Sequence, residues 1–184
     1  YAKHVSWAVE NKIVSGYEDG SFRPNGTLTE AEFLVMLLRS QSTILAEIRK
    51  ANAGEAWYMP YYEKASELNY PIQAADNKKR ITRGDAARLI AFSFGKSLEL
   101  EEAIQFLLDE KLSYGKTAAT IEGYEANAFM SRVEAVAFVQ RVTEYRAQLP
   151  DNGSSDTPTS GGAGGGWSPP PGNQGNQGNQ GGNP

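Results

Sequence analysis

The residues of this 184-residue chain best placed to do chemistry are two arginines that each follow a hydroxyl side chain. Arg83 follows Thr82, with Asp85 two places on; Arg132 follows Ser131, with Glu134 two places on. A Ser or Thr with an acid three positions later is a capping box, in which the hydroxyl accepts from the third amide and the carboxylate takes the cap's own N–H. With Thr82 and Ser131 as N-caps, Arg83 and Arg132 open their helices, where a cation opposes the helix dipole by about 0.3–1 kcal/mol. Two such placements imply a nearby anion. A guanidinium fork matches a carboxylate bidentately, which lysine cannot do. The anion is either a ligand or a glutamate of a neighbouring segment; a merely exposed arginine is the third reading. Lys78, Lys79 and Arg80 add a local basic patch, read either as a solvated loop or as one wall of a groove for an anionic polymer.

The segment Asp19-Gly20-Ser21-Phe22 invites a calcium reading, and spacing rejects it. With Gly20 at the sixth place of a twelve-residue calcium loop, Gly26 falls where the bidentate glutamate is required. Asp19 and Gly20 are instead expected to close a turn, with Phe22 plugging the core. Asp19, Ser21 and the Gly20 amide then remain candidates for hydrogen bonds to sugar hydroxyls. Trp7, Trp57, Tyr17 and Tyr124 are core aromatics or stacking faces for pyranose rings. Glu101 with Glu102, and Glu122 with Glu125, are carboxylate pairs on polar segments, where nothing raises the pKa of an acid as glycoside hydrolysis requires.

Composition removes other chemistries. The chain has no cysteine and one histidine, His4, expected to be an exposed helix residue, so thiol nucleophiles, thiolate metal sites and paired-histidine zinc sites lack their parts. No metal and no cofactor is expected. The net charge of −4 argues against nucleic acid, which asks for a basic footprint. No run reaches the ~18 apolar residues of a membrane helix, so no membrane insertion is expected. Missing cysteine is compatible with export.

The elements that must position these residues read as helices almost throughout. Val5, Val9 and Ile13 fall four apart; Phe33, Leu37, Ile44 and Ile48 mark one long second helix. Tyr61, Ala65 and Leu68, then Ala86, Leu89, Ile90 and Phe94, then Ile104, Leu107 and Leu108, and finally Phe138, Val142, Tyr145 and Leu149 continue the pattern. No stretch has a period of two, and the expected fold class is all-α. Three segments share the helix-start signature: Leu28-Thr29-Glu30-Ala31-Glu32, Ile81-Thr82-Arg83-Gly84-Asp85 and Met130-Ser131-Arg132-Val133-Glu134, spaced by 53 and 49 residues. Asp85 is the shorter, poorer fit to the box. Ahead of each lies a short helix and a loop. Gly16-Tyr17-Glu18-Asp19-Gly20-Ser21-Phe22-Arg23-Pro24 is the fullest; Gly123-Tyr124-Glu125 and Phe129 read as its counterparts in the third copy.

These residues resemble the S-layer homology (SLH) family, whose repeats run from an aromatic-rich helix through a G-Y-x-D-G-x-F-x-P loop to an I-T-R-A-E helix start. The resemblance covers residues 1 to about 147. It implies three tandem helix-loop-helix repeats, 1–42, 43–96 and 97–149, in a pseudo-threefold helical domain. The chain is expected to begin inside the first repeat. The family's role would be to hold an exported protein non-covalently on a bacterial cell wall. The implied partner is an anionic secondary cell-wall polysaccharide linked to peptidoglycan, often bearing pyruvate ketals, bound in grooves where one copy's loop meets another's helix start. The candidate ligand residues are then Arg83, Arg132, Lys79, Arg80, Asp19, Gly20 and Ser21. Glu30 stands where the family prefers arginine, which leaves one groove in question. Changing Arg83 and Arg132 to Glu together is expected to weaken wall binding while helicity and melting temperature stay nearly intact. A self-assembly or docking module without glycan binding is the alternative, and a cell-wall hydrolase a weaker one.

Residues 150–184 differ in kind. Within 151–184 lie 11 of the 19 glycines and five of the nine prolines, with Trp167 the one large apolar side chain. Such a segment cannot bury enough apolar surface to offset the entropy of ordering it. It reads as a flexible linker with a mean reach of about 30 Å, with a cargo domain attached beyond it. The Gly172-Asn173-Gln174 triplet repeats too few times for a collagen helix and leaves its proline positions unfilled.

Overall fold

The computed structural model describes residues 2–17 and 19–150; the expected linker thus lies almost wholly outside the described residues. Seven α-helices carry the fold: α1 (Ala2–Glu10), α2 (Glu30–Arg39), α3 (Ser42–Glu47), α4 (Met59–Glu67), α5 (Arg83–Ser93), α6 (Leu100–Asp109) and α7 (Arg132–Gln148). Among the described residues there are no strands, only isolated bridges. The all-α expectation holds.

Six of these helices form three pairs with a common plan, α1 with α2, α4 with α5 and α6 with α7. The first helix of each pair is followed by a left-handed residue, Lys12 (φ 58°), Asn69 (φ 59°) or Lys111 (φ 56°), which turns the chain sharply. The next residue in each case, Ile13, Tyr70 or Leu112, is buried. The second helix of each pair opens on a capping box. Thr29, Thr82 and Ser131 have extended backbones and accept from the amides of Glu32, Asp85 and Glu134. The returning contacts run from the cap N–H to the carboxylate at 2.7, 3.4 and 2.9 Å, the longest being that of the shorter Asp85.

One expectation fails. The apolar run from Phe33 to Ile48 is two helices rather than one, because Ser40 and Gln41 end α2 with their own side chains. Ser40 Oγ and Gln41 Nε2 both donate to the Leu37 carbonyl, and Gln41 is extended at φ −112°. These local bonds give the Leu37 carbonyl of α2 partners other than the next turn. The apolar period passes through the break unaltered, so periodicity alone could not reveal it.

Packing is cyclic. The second helix of each pair carries the first helix of the next: α2 packs on α4, α5 on α6, and α7 on α1, which closes the ring. The residues just before the three caps meet at the centre. Leu28 N–H donates to the Met130 carbonyl (3.3 Å), Met130 N–H to Ile81 (3.1 Å) and Ile81 N–H to Leu28 (3.2 Å). Their side chains are 0%, 0% and 1% exposed, so three apolar residues fill the hub while their backbones satisfy one another.

Candidate functional site

The outer edge of that hub sets the geometry of each joint. At every second-helix start the first two amides donate to the loop of the next pair: Glu30 to Lys79 and Ala31 to Asn77, Arg83 to Ala128 and Gly84 to Ala126, Arg132 to Gly26 and Val133 to Pro24. The cap side chain takes the third amide. The N–H groups that make a helix start attractive to an anion are therefore already occupied by protein carbonyls.

The helix-start arginines are likewise engaged. Arg83 is 2% exposed; its Nε donates to the Tyr124 carbonyl (2.8 Å) and its Nη1 to Glu134 Oε1 (2.8 Å). Tyr124 answers by donating its hydroxyl to the Arg83 carbonyl at 2.8 Å. Arg132 is 8% exposed, with Nε on the Phe22 carbonyl (3.0 Å) and Nη1 on Glu32 Oε1 (3.3 Å). The anion that offsets each dipole penalty is thus the capping glutamate of the neighbouring pair. Burial pushes the Glu134 carboxyl up, but the hydrogen bonds from Ser131 and the Arg83 charge outweigh it and hold the group below the usual carboxylate range. Unaltered stability of an Arg83→Glu, Arg132→Glu chain no longer follows, since each change would bury two facing acids. On both guanidiniums Nη2 makes no hydrogen bond to the described residues.

These contacts also correct the loop register read from sequence. Tyr124 occupies the place of Phe22, since each carbonyl receives an arginine Nε. The Gly16-Tyr17 and Gly123-Tyr124 match is therefore coincidental, and Tyr124 is the fully buried plug of its loop.

A cleft lies at each joint, and the three are lined by register-equivalent residues. The first, about 240 Å³, is bordered by Arg132, Glu32, Met36, Arg39, Tyr17 and Trp57. The second, about 450 Å³, has Glu30, Asp85, Leu89, Arg88, Lys79 and Asp76. The third, about 350 Å³, has Arg83, Glu134, Phe138, Arg141, Lys116 and His4. Arg132 therefore belongs to the first cleft, Arg83 to the third and Lys79 to the second. Arg80 is held elsewhere, its guanidinium 4.1 Å above the Phe129 ring. The Lys79–Arg80 wall divides at that point.

Asp19, Gly20 and Ser21 form a turn beside the first cleft. Gly20 has φ 76° and its amide donates to the Tyr17 carbonyl at 2.8 Å, so that amide is occupied. Hydrogen bonds from Ser21, then from Arg23, hold the Asp19 carboxyl below its usual range. His4 is half-buried rather than exposed, its Nδ1 2.7 Å from Gln140 Oε1 across the α1–α7 closure.

Four cleft cations, Arg39, Arg88, Lys116 and Arg141, escaped the sequence reading. Arg39 donates to the Tyr61 hydroxyl (2.9 Å), and Arg141 to the Leu112 carbonyl (2.8 Å). Burial draws the Arg141 pKa down from its usual value, yet a guanidinium keeps its charge in proteins. For Arg39 and Arg141 the signal was present: counted from Thr29, Thr82 and Ser131, the same helical position holds Arg39, Phe92 and Arg141. Among the described residues no group of three or more His, Cys, Asp or Glu is placed to hold a metal ion.

Comparison with known proteins bears on this arrangement. The family model of the S-layer homology domain matches residues 1–34, which span α1, the loop that meets Arg132, and the first turn of α2. The chain is also 28% identical over 109 residues to the Middle cell wall protein of Brevibacillus brevis. That match covers 59% of this chain and 10% of the relative, so the chain corresponds to about a tenth of that protein's length. Domains of the matched kind are non-catalytic anchoring modules. The chain therefore carries an S-layer homology domain at residues 1–34.

Proposed function

We propose that residues 1–149 form three tandem SLH repeats, 1–42, 43–96 and 97–149, arranged with pseudo-threefold symmetry around the Leu28, Ile81 and Met130 hub. The module anchors an exported protein to a bacterial cell wall by binding an anionic secondary cell-wall polysaccharide in the clefts between repeats. Residues 150–184 then serve as the linker to cargo. The observation that carries this reading is the recurrence of one cleft at three register-equivalent places, two of them built on a helix-start arginine with a second arginine ten residues after the cap.

The chemistry fits an acidic sugar. In the first and third clefts cations outnumber acids, with Nη2 of Arg132 or Arg83 left for a ligand carboxylate. In the first cleft, Trp57 is half-exposed and offers a ring face to a pyranose, while the Tyr17 ring is covered by Arg23 at 4.1 Å and Arg132 at 4.9 Å. No bond-breaking chemistry is assigned. Glu101, Glu102 and Glu122 are exposed, and Glu125 is tied to Lys116 at 3.2 Å.

The test is binding of the chain to purified walls before and after the secondary polymer is stripped. The expected result is loss of binding on stripping, with no soluble sugar or peptide released. Unchanged binding to stripped walls would sink the polymer reading and favour a docking module.

A further inference from the structure

The joint between the first two repeats departs from the other two in a coordinated way. Residue 30 has the register of Arg83 and Arg132: it follows the cap, and its N–H donates to the next loop, at the Lys79 carbonyl (2.8 Å). The residue there is glutamate, 8% exposed. The register of Glu134 and Glu32 is held at this joint by Asp85, so two carboxylates stand where the other joints have an ion pair. The register of Arg39 and Arg141 is held by Phe92, whose ring meets that of Tyr70 tilted by 59° with centroids 4.8 Å apart. The cleft is consequently bordered by Glu30, Asp76 and Asp85 against Lys79 and Arg88. Lys79 is itself drawn towards Asp85, at 3.8 Å.

A further substitution accommodates the acid. Counted back from the left-handed residues Lys12, Asn69 and Lys111, the positions Val5, Tyr62 and Ile104 are equivalent. Two are aliphatic. Tyr62 is buried and donates its hydroxyl to Glu30 Oε1 at 3.1 Å. The buried glutamate thus has its own donor, supplied from the first helix of the second repeat. A ligand carboxylate entering here would meet like charge and no guanidinium at the helix start.

Resting on the polymer reading above, we propose that Glu30 is a specificity-determining residue that bars this cleft to acidic sugars, so that the module has two anion-binding clefts, on Arg132 and Arg83. The test is calorimetric titration of the full chain with a methyl hexopyranoside bearing a 4,6-linked pyruvate ketal. The expected count is two sites per chain, rising to three in a Glu30→Arg, Tyr62→Ile chain, which sets an arginine opposite Asp85 and an aliphatic side chain in the register of Ile104. A wild-type count of one or three, or an unchanged count of two in the helical double variant, overturns the proposal and leaves the polymer reading standing. No binding by the wild type overturns both. Should the double variant lose its helicity, the wild-type count alone decides.

Discussion

Arg83 and Glu30 occupy the same register and obey different electrostatics. Arg83 is buried with its charge matched by Glu134 and its Nε held by a carbonyl, so truncating it strands an acid and a carbonyl. Breaking a buried pair this way costs on the order of 3 kcal/mol. Arg83→Ala is expected to lose about that much in urea unfolding, and much less when Glu134→Gln is made with it, because the stranded charge is then gone. Burial, opposed by the Tyr62 hydrogen bond and assisted by Asp76 and Asp85, raises the Glu30 pKa above that of an ordinary glutamate. A raised acid binds its proton more tightly folded than unfolded. Stability therefore falls as pH climbs from about 4.3, the unperturbed value, through the folded value, and the penalty is constant above it. Glu30→Gln keeps an acceptor for Tyr62 and drops the charge. It is expected to melt higher than the wild type at pH 7, with the advantage shrinking as pH falls towards 4; equal melting curves at pH 7 would contradict the assignment.

At the scale of elements, the helix starts work because loops from the next helix pair reach their amides. This closeness has a steric requirement. Gly84 is the second residue of α5, where α2 has Ala31 and α7 has Val133. A Cβ on Gly84 would stand 2.8 Å from Leu100 Cδ1, 3.2 Å from the Ala126 carbonyl oxygen and 3.3 Å from Ala126 Cβ. Helix propensity favours alanine over glycine by about 1 kcal/mol, but displacing the loop costs about 1–3 kcal/mol. Gly84→Ala is therefore expected to lower the thermal midpoint despite its better propensity; a rise would mean that Leu100 alone yields and the loop does not shift. The capping boxes themselves were legible from spacing, down to the long Asp85 contact. The break between α2 and α3 was not, since Ser40 and Gln41 act through side-chain bonds that leave the apolar period intact.

For the whole molecule, the ring means that no helix pair owns a complete core. Each first helix rests on another pair's second helix, α1 closes against α7, and Leu28, Ile81 and Met130 share one hub. Thermal unfolding followed by far-UV circular dichroism and by tryptophan fluorescence is expected to give one coincident transition. Separate transitions would argue for repeats that fold alone. The sequence by itself determined the helical class, the three helix starts with their capping boxes and the turn at Asp19-Gly20, because these depend on residues within a few positions of one another. It also placed Arg83, Arg132 and Glu30 in one register. Tertiary structure decided what those residues face. Arg83 meets Glu134 across 51 positions and Arg132 meets Glu32 across 100, and only the closed ring brings such partners together. The same closure fills the helix-start amides with neighbouring carbonyls, sends Arg80 onto Phe129, and turns one of three similar clefts acidic, since the charge of each cleft is a sum over two helix pairs.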